Sequence, residues 1–413
     1  MHIVIFGDQH VETLGGAQVS TRLQRAYLER AGHTVTVVAP RRWSRDPANA
    51  NDPAYLDLPS IPVTWDREYS FAWPGGATDA FIDRALTRRV ARGAPVPDLV
   101  HVQADFWGAF LGHRLARRLR VPVVHTMHNR VDVGIEATAP FPGLVMRALN
   151  AWRRRELPGS GPGDDGWAYL RGIARGASAV TAPSGHFARR LEQHGVFGSV
   201  DVVWNGIDDD VRRRVLRDAP AGRTPGRPRF VWLGRMSPEK RLLPLLEAFA
   251  DSRADAELEL IGGGLELERA RRLVAARGVA DRVVFAGRLP YERTLGRIAA
   301  ADALVQTSIG FETQGMTPFE AATLGTPSIV SDPDIADELD GGVWRVDAPG
   351  DESSRVAALA DVIRRASADI VAGTAPVPSE RVSGEFRQSS RTAAMLGVYE
   401  RVLGRRARGA ERL

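Results

Sequence analysis

The chain has 413 residues, of which 44% are hydrophobic and 25% are charged, a composition typical of a folded protein. This length exceeds one ordinary hydrophobic core and predicts two domains. The complete lack of cysteine excludes disulfides, thiolate metal sites and cysteine nucleophiles. The net charge of +5 arises from basic residues interleaved with acidic ones, without the alternation of arginine and aromatic residues typical of a nucleic-acid groove. We therefore expect no nucleic-acid partner.

The N-terminal residues predict a buried strand directly after Met1, without the basic leader of a secretory signal peptide. No apolar run approaches the roughly 18 residues that a membrane span needs. We therefore expect a cytoplasmic protein, with peripheral attachment to the inner face of the plasma membrane as the alternative.

The first half of the chain alternates short apolar strands with amphipathic helices. Strands are predicted over residues 3–6, 35–39, 99–102, 121–126, 179–182 and 200–204, and helices over 17–31 and 110–119. Such alternation is typical of βαβ units and a parallel sheet. Glycine and proline at nearly every second position predict a loop over 158–166.

The second half repeats this alternation after a junction that we place between residues 205–208 and the Pro/Gly/Arg stretch 219–228. Predicted strands span 230–233, 258–261, 282–286, 303–306 and 328–330, and predicted helices span 238–250, 265–277, 291–300 and 318–324. The predicted fold class is α/β, with two Rossmann-like doubly wound parallel-sheet domains, 1–205 and 206–385, that face a cleft. A helix over about 387–405, within 386–413, is expected to pack back across the domains.

One segment, residues 144–155, combines an apolar stripe with several arginines. The stripe comprises Leu144, Val145, Ala148, Leu149 and Trp152, and the basic residues are Arg147, Arg153, Arg154 and Arg155. This pattern is typical of a helix that lies on an anionic membrane surface. A core-facing helix with an ordinary solvated face explains the same pattern, and both interpretations stay open.

Ligands of open parallel sheets bind beyond the carboxyl ends of strands, so glycines in the loops after strands are candidate ligand contacts. Gly16 follows the first strand and Gly263 follows a strand of the second half, each just before a helix. Glycine lets backbone N–H groups approach a phosphate closely. The alternative is a plain turn, because neither segment matches the dinucleotide pattern G-x-G-x-x-G.

Two histidines lie at the end of the strand predicted over 121–126. His125 and His128 would point to opposite faces of a continuing strand, which argues against a shared metal ion. His128 lies at the carboxyl end and is the better candidate to bind a sugar hydroxyl or a departing phosphate. A structural role in the loop is the alternative.

Lys240 is the only lysine among 55 basic residues, and it follows Gly234 and Arg235 at the end of a predicted strand. Ser237 is expected to cap the next helix, with Pro238 at its first position, so that Lys240 lies in the first turn. A cation is disfavoured at a helix N-terminus unless both face a bound anion. We therefore predict that Lys240 contacts a diphosphate, with a solvated surface lysine as the alternative.

The segment 310–320 holds two carboxylates, Glu312 and Glu320, around a predicted helix start. Thr317 and Glu320 match the capping box, which by itself would explain Glu320 as a cap of its own helix. The N–H groups of Gly315, Met316 and Thr317 would in either case form an anion cradle. This arrangement suits a ligand with hydroxyl groups on both sides of a diphosphate.

These motifs together resemble the retaining GT-B glycosyltransferases of family 4, over nearly the whole chain. The resemblance rests on Gly15-Gly16, the His128 loop, residues 205–208, Arg235 with Lys240, and Glu312 with seven residues before Glu320. It implies a nucleotide-diphosphate sugar donor, UDP- or GDP-linked, held mainly by the second domain without a metal ion or other cofactor.

Individual roles follow from the resemblance alone. It implies that Glu320 binds the ribose and that Arg235 and Lys240 bind the diphosphate. Glu312 and the backbone of residues 315–317 would bind the sugar, and His128 would come from the first domain. The pair Thr313-Gln314 differs from the residues that many relatives carry at this place. It resembles the version in bacterial enzymes that glycosylate diacylglycerol, which favours a membrane-lipid acceptor.

Other functions are open on the sequence alone. A soluble sugar or inositol-type acceptor, a sugar-nucleotide epimerase and an inactive nucleotide-sugar-binding accessory protein would suit the same scaffold. A dinucleotide-dependent dehydrogenase is disfavoured, because the first strand lacks the glycine pattern and the acidic ribose ligand.

Overall fold

The computed structural model describes residues 1–13, 15–43, 52–65, 67–219, 226–347 and 350–410. The chain forms two compact units, one comprising Met1–Gly206 with Arg391–Leu413 and the other comprising Ile207–Ser390. Within the interval predicted as the junction, residues 220–225 lie outside the described residues.

The first unit contains a seven-stranded parallel sheet in the order β3-β2-β1-β6-β7-β8-β9, and β4 pairs with β5 in a separate hairpin. The strands are β1 (His2–Gly7), β2 (Thr34–Pro40), β3 (Tyr55–Leu58), β4 (Ile61–Pro62), β5 (Ser70–Phe71), β6 (Leu99–Gln103), β7 (Val123–Thr126), β8 (Ala179–Ala182) and β9 (Val200–Val202). The helices are α1 (Gly16–Arg30), α2 (Gly76–Ala91), α3 (Trp107–Leu119), α4 (Val131–Thr138), α5 (Pro142–Glu156), α6 (Gly166–Ala174) and α7 (Gly185–Gln193).

Strand β1 shows why this sheet carries helices on both faces. All six of its residues are buried, and successive side chains point to opposite faces. Ile3 and Ile5 pack into one apolar cluster, whereas Val4 and Phe6 pack into another. A strand that is apolar on both faces is typical of a parallel sheet covered on both sides.

The second unit contains a six-stranded parallel sheet in the order β12-β11-β10-β13-β14-β15. Its strands are β10 (Arg229–Arg235), β11 (Glu257–Gly263), β12 (Val283–Gly287), β13 (Ala303–Gln306), β14 (Ser328–Val330) and β15 (Val343–Arg345). Its helices are α8 (Asp209–Asp218), α9 (Leu242–Ser252), α10 (Leu267–Ala276), α11 (Tyr291–Ala300), α12 (Met316–Thr323), α13 (Pro333–Glu338), α14 (Glu352–Ala372) and α15 (Glu380–Glu385).

The last helix, α16 (Gln388–Ala410), supplies part of the core of the first unit. Met395, Val398, Tyr399 and Val402 are buried in the same cluster as Ile3 on the central strand. The C-terminal segment is therefore an integral layer of the first unit.

Both sheets have a topological switch point, where strand order reverses between β1 and β6 and between β10 and β13. Loops at such a point diverge and leave space for a ligand beyond the carboxyl ends of the strands. The predicted α/β class with two doubly wound parallel sheets is confirmed. The sequence reasoning missed long helices such as α2 and α14, whose apolar positions are diluted by alanine and arginine.

The helix predicted over 238–250 is wrong at its start. Pro238–Lys240 form a separate 3₁₀ turn that Arg241 ends in the left-handed conformation, with φ of 54°, and α9 begins at Leu242. The expected cap is also absent, because the Ser237 hydroxyl donates to the Glu239 carboxylate at 2.6 Å. Lys240 therefore lies in a turn ahead of α9 rather than in its first turn.

Candidate functional site

Lys240 and Glu312 form an ion pair at the switch point of the second unit. The backbone of Lys240 is fixed as well, because its carbonyl oxygen accepts a hydrogen bond from the Thr307 hydroxyl at 2.6 Å. Thr307 in turn accepts a hydrogen bond from the buried Trp232 indole at 2.9 Å. Strands β10 and β13 thus hold the turn that carries Lys240.

Glu312 receives a second hydrogen bond, from the Ser308 hydroxyl at 2.8 Å. The side-chain amide of Gln306, the last residue of β13, donates to Ser308 at 2.7 Å. About a fifth of the Glu312 side chain and a quarter of the Lys240 side chain are exposed, so a ligand can reach both. The pair is held in place but open.

The N-terminus of α12 lies directly beside Glu312. Gly315 has φ of 72°, and a Cβ there would lie 2.5 Å from Ile335 Cδ1 and 3.7 Å from Glu312 Cβ. Only glycine fits this conformation and space. The first N–H groups of a helix have no intrahelical acceptor and carry the positive end of its dipole, so those of Met316 and Thr317 are suited to an anion.

The predicted capping box of α12 does not form. The helix begins at Met316 with Gly315 as its cap residue, so Thr317 is already helical. Glu320 is buried within the helix, and its carboxylate accepts a hydrogen bond from the Tyr291 hydroxyl at 2.8 Å. Burial raises the pKa of Glu320 to about 7, while the hydrogen bond from Tyr291 opposes this rise. The alternative explanation of Glu320 as a helix cap is therefore wrong.

Arg235 stands apart from the Lys240–Glu312 pair. Its side chain is 70% exposed, and its guanidinium lies 3.3 Å from the Glu239 carboxylate. Strand β10 ends at Arg235, which places it at the carboxyl end of the sheet. An exposed guanidinium there is free to reorient toward a bound phosphate.

The glycines of residues 262–264 allow two chain segments to approach each other. A Cβ at Gly262 would lie 2.0 Å from the Gly234 carbonyl oxygen, and one at Gly264 would lie 2.5 Å from the Met236 carbonyl oxygen. Gly263 ends β11 and faces the guanidinium of Arg288, with 3.5 Å between a Cβ there and Nε. Donor binding by Gly263 stays a prediction, and Arg288 is a nearby cation that sequence reasoning missed.

In the first unit, Asp105 fixes the loop that carries His128. Its carboxylate accepts hydrogen bonds from the His128 N–H at 3.0 Å and from the Asn129 N–H and side-chain amide at 2.9 and 2.7 Å. The imidazole Nε2 of His128 lies 2.8 Å from Oε1 of Gln103. Burial lowers the pKa of His128, so the ring is neutral near pH 7.

Asp8 fixes the neighbouring loop in the same way. Its carboxylate accepts hydrogen bonds from the N–H groups of Asp105, Phe106 and Gly108 at 2.8, 3.0 and 2.9 Å. Burial raises the pKa of Asp8 to about 7. Sequence reasoning missed Asp8 and Asp105, although each is the first acidic residue after a buried strand.

His125 and Gly16 are the other residues of the first unit that the sequence singles out. His125 is fully buried between the Ala104 carbonyl oxygen, at 2.8 Å, and the imidazole of His113, at 3.2 Å. Gly16 is the exposed first residue of α1, and donor binding by Gly16 stays a prediction. In the described part of the chain, no three His, Asp or Glu side chains are grouped as a metal site.

Helix α5 buries some residues of segment 144–155 and leaves others exposed. Trp152 packs against Phe110 with ring centroids 5.1 Å apart. Arg153 is fully buried and donates to the Gly161 carbonyl oxygen at 2.8 Å, so its assignment to a basic surface is wrong. Leu144, Arg147 and other residues remain on an exposed face. Among the described helices, none is long and apolar enough to cross a membrane.

Two family models match successive segments of the chain. The model of Glycosyltransferase Family 4 matches residues 14–211, and that of Glycosyl transferases group 1 matches residues 218–340. The chain belongs to the glycosyltransferases that combine these two regions, and it is a hexosyltransferase with the GT-B fold.

Curated relatives include enzymes with lipid and with soluble acceptors in their names. The chain is 26% identical to alpha-monoglucosyldiacylglycerol synthase of Streptococcus pneumoniae, over 80% of the chain and 70% of the relative. It is 27% identical to the GDP-mannose-dependent alpha-mannosyltransferase of Mycolicibacterium smegmatis, over 98% and 99%. It is 31% identical to 2-deoxystreptamine N-acetyl-D-glucosaminyltransferase of Streptomyces fradiae, over 56% of the chain and 54% of that relative.

Solved structures share the fold. Sucrose-phosphate synthase from Thermosynechococcus elongatus aligns with a TM-score of 0.66 at 20% identity, over 98% of this chain and 99% of that one. Anabaena HepE, solved in complex with UDP, aligns with a TM-score of 0.66 at 16% identity, over 97% of this chain and 100% of that one. Both support the two-sheet GT-B architecture.

Proposed function

We propose that this glycosyltransferase moves a hexose from a nucleotide-diphosphate sugar to a hydroxyl group of a membrane lipid, with retention of configuration. The observation that carries the proposal is the Lys240–Glu312 pair beside the N-terminus of α12. One fixed cation, one fixed carboxylate and a set of free N–H groups match a ligand that joins a diphosphate to a polyhydroxylated sugar.

Each part of the donor has its own contacts in this site. The ammonium of Lys240 and the N–H groups of Met316 and Thr317 bind phosphate oxygens, and Arg235 reorients to the outer phosphate. Glu312 accepts hydrogen bonds from sugar hydroxyls, and Glu320 accepts them from the ribose. The name of the Mycolicibacterium smegmatis relative specifies GDP-mannose, whereas Anabaena HepE has been solved with UDP-glucose. The test therefore includes donors with both bases.

The chemistry depends on charge at the leaving group. The bond between the anomeric carbon and the phosphate oxygen breaks, which leaves negative charge on the diphosphate and positive charge on the sugar ring. Preorganised positive groups stabilise this transition state most strongly. The acceptor hydroxyl attacks from the face that the diphosphate leaves, and its proton passes to a phosphate oxygen. Lys240, Arg235 and α12 supply positive charge without a metal ion.

A lipid acceptor is supported by an exposed apolar surface in the first unit, which we call the aromatic hairpin surface. It comprises Ile61, Val63 and Trp65 of the β4–β5 hairpin, then Trp73, and then Phe141 and Leu144 at the start of α5. The Trp65 side chain is fully exposed, and the Trp73 ring lies 6.0 Å from that of Trp152 in α5. Exposed patches of this kind mark membrane or protein contacts.

Charge favours an anionic lipid surface over a neutral one. Arg67 follows Trp65 by two residues in the hairpin and is exposed, as are Arg147 and Arg155 on α5. Tryptophan prefers the membrane–water interface, and each arginine near an anionic surface contributes about 1 kcal/mol. The name of the Streptococcus pneumoniae relative, a glucosyldiacylglycerol synthase, agrees with this acceptor class.

The direct test incubates the protein with UDP- and GDP-linked hexoses, each with diacylglycerol vesicles, with soluble aminocyclitols or inositol, or alone. We expect nucleoside diphosphate release that requires the lipid, and a product whose anomeric proton coupling matches the donor. Release that responds only to a soluble acceptor would support the activity named for the Streptomyces fradiae relative and overturn the lipid acceptor. An epimerised free nucleotide sugar would overturn transfer itself.

A second test addresses the aromatic hairpin surface. Sedimentation with phosphatidylglycerol vesicles should weaken about tenfold in the Trp65→Ser/Trp73→Ser variant, because both indoles leave the interface. The control is Val377→Ser, since Val377 is 82% exposed in the second unit. Equal loss of binding in both variants would contradict a specific surface in the first unit.

A further inference from the structure

A chain of hydrogen bonds runs from His128 to the C-terminal helix. Nε2 of His128 lies 2.8 Å from Oε1 of Gln103, whose amide nitrogen donates to Gln24 on α1. The amide nitrogen of Gln24 donates in turn to the Tyr399 hydroxyl on α16, at 3.1 Å. Gln24, Gln103 and Tyr399 are all buried, so water does not compete for these bonds.

The chain continues beyond Tyr399 with the same direction of donation. The Tyr399 oxygen lies 2.7 Å from Nδ1 of His101, and Nε2 of His101 lies 2.7 Å from the Thr126 hydroxyl. Burial lowers the pKa of His101 to about 3, so its neutral ring has one N–H and one lone pair. With Tyr399 donating to Nδ1, Nε2–H donates to Thr126, which lies 2.6 Å from the Thr181 hydroxyl.

This direction determines the tautomer of His128. The amide nitrogen of Gln103 is used toward Gln24, so its oxygen faces His128 as an acceptor. In this arrangement His128 carries its proton on Nε2, and Nδ1 of the neutral ring keeps a lone pair. Within the described residues, Nδ1 of His128 makes no hydrogen bond. A lone pair of this kind accepts from a hydroxyl group and repels a phosphate oxygen.

We propose that Gln103, Gln24 and Tyr399 are positioning residues that hold His128 in its Nε2–H tautomer, so that Nδ1 accepts a hydrogen bond from a substrate hydroxyl. The inference rests on the proposed function, which provides that hydroxyl. It makes the C-terminal helix part of the site through the hydroxyl group of Tyr399. It also selects the sugar or acceptor hydroxyl, rather than the departing phosphate, as the partner of His128.

The test measures ¹⁵N chemical shifts of labelled histidines, with His128→Asn to assign the resonances. Wild type should show Nε2–H and an unprotonated Nδ1 at pH 7.5, a value about one unit above the ordinary histidine pKa. Gln103→Leu should mix the tautomers and lower kcat about tenfold, with a smaller change in KM. Gln103→Glu keeps an acceptor oxygen, so it should restore the tautomer and raise the pH at which His128 protonates.

Tyr399→Phe keeps the buried ring and removes only the hydroxyl group, so it should fold normally. It should shift the tautomer ratio partly and lower kcat about threefold. The matched control is Tyr55→Phe, which loses a 2.9 Å hydrogen bond to Glu12 in the same unit, outside the chain described above. The control should leave the His128 resonances unchanged.

The two proposals fail in different ways. An Nδ1–H signal in wild type, or unchanged tautomers in both Gln103→Leu and Tyr399→Phe, would overturn the positioning role whatever the enzyme transfers. Tautomers that shift as expected in a protein that turns over no nucleotide sugar would support the positioning chain and contradict the proposed function.

Discussion

The two units hold polar groups at equivalent switch points but use them differently. In the first unit, Asp8 accepts hydrogen bonds from three backbone N–H groups, one oxygen of Asp105 accepts from the loop that carries His128, and His128 is neutral. In the second unit, Lys240 and Glu312 keep part of their side chains exposed beside the open N-terminus of α12. The first arrangement fixes loop positions, and the second leaves charged groups accessible.

The same sheet topology can therefore place polar groups that hold loops in position or polar groups that are accessible to a ligand. Carboxylates that each accept several N–H bonds tie neighbouring loops together. An ion pair that a phosphate can compete for, next to unused N–H groups, is by contrast a ready anion site. Substitutions in the second unit should therefore affect the donor, and those in the first unit should affect loop order.

The largest effect is expected for Lys240→Ala. Loss of the ammonium should lower kcat about 10²- to 10³-fold, or about 3 kcal/mol, as for removal of one preorganised donor at a developing anion. Steady-state release of nucleoside diphosphate measures it. Turnover within threefold of wild type would show that Lys240 does not stabilise the leaving group.

An intermediate effect is expected for Asp105→Asn in the first unit. All three donors on His128 and Asn129 bind one oxygen, Oδ2, and a neutral amide oxygen in its place accepts them more weakly, so the free energy of unfolding should fall by about 1–3 kcal/mol. Turnover should fall about tenfold, while calorimetric affinity for the nucleoside diphosphate should stay unchanged. Asp83→Asn is the control, because its exposed pair with Arg118 contributes at most about 1 kcal/mol. A loss of nucleotide affinity in Asp105→Asn would break the division between the units.

A smaller effect is expected from the protonation of Glu320. Its pKa is raised to about 7, and only the carboxylate accepts from both ribose hydroxyls, so donor affinity should rise as the pH passes upward through 7. Tyr291→Phe removes a bond that lowers this pKa, which should move the midpoint to higher pH and weaken binding about twofold to fivefold at pH 7. Glu320→Gln should remove the pH dependence. Titration calorimetry between pH 6 and 8 measures all three.

The sequence predicted the two parallel sheets because apolar strands and glycine-rich loops report directly on local structure. It placed Lys240, Glu312 and Gly315 correctly after strands β10 and β13, since loop position follows from strand order. It could not predict the 3₁₀ turn at 238–240 or the missing capping box, because Ser237 and Thr317 form local patterns that tertiary contacts override. The burial of Arg153 and the path from His128 to Tyr399 depend on contacts between distant segments.

The central claim is that Lys240 binds the donor diphosphate in a space shaped for an ammonium. Its stem passes close to Gly234, with 3.9 Å between Cδ and a Cβ at that glycine. The most direct measurement compares kcat/KM for Lys240→Arg with that of its neighbour Arg241→Lys, which retains a cation opposite the half-exposed Glu352. We predict a loss of about tenfold or more for Lys240→Arg and a change below twofold for Arg241→Lys. Equal activity of the two variants would contradict the claim.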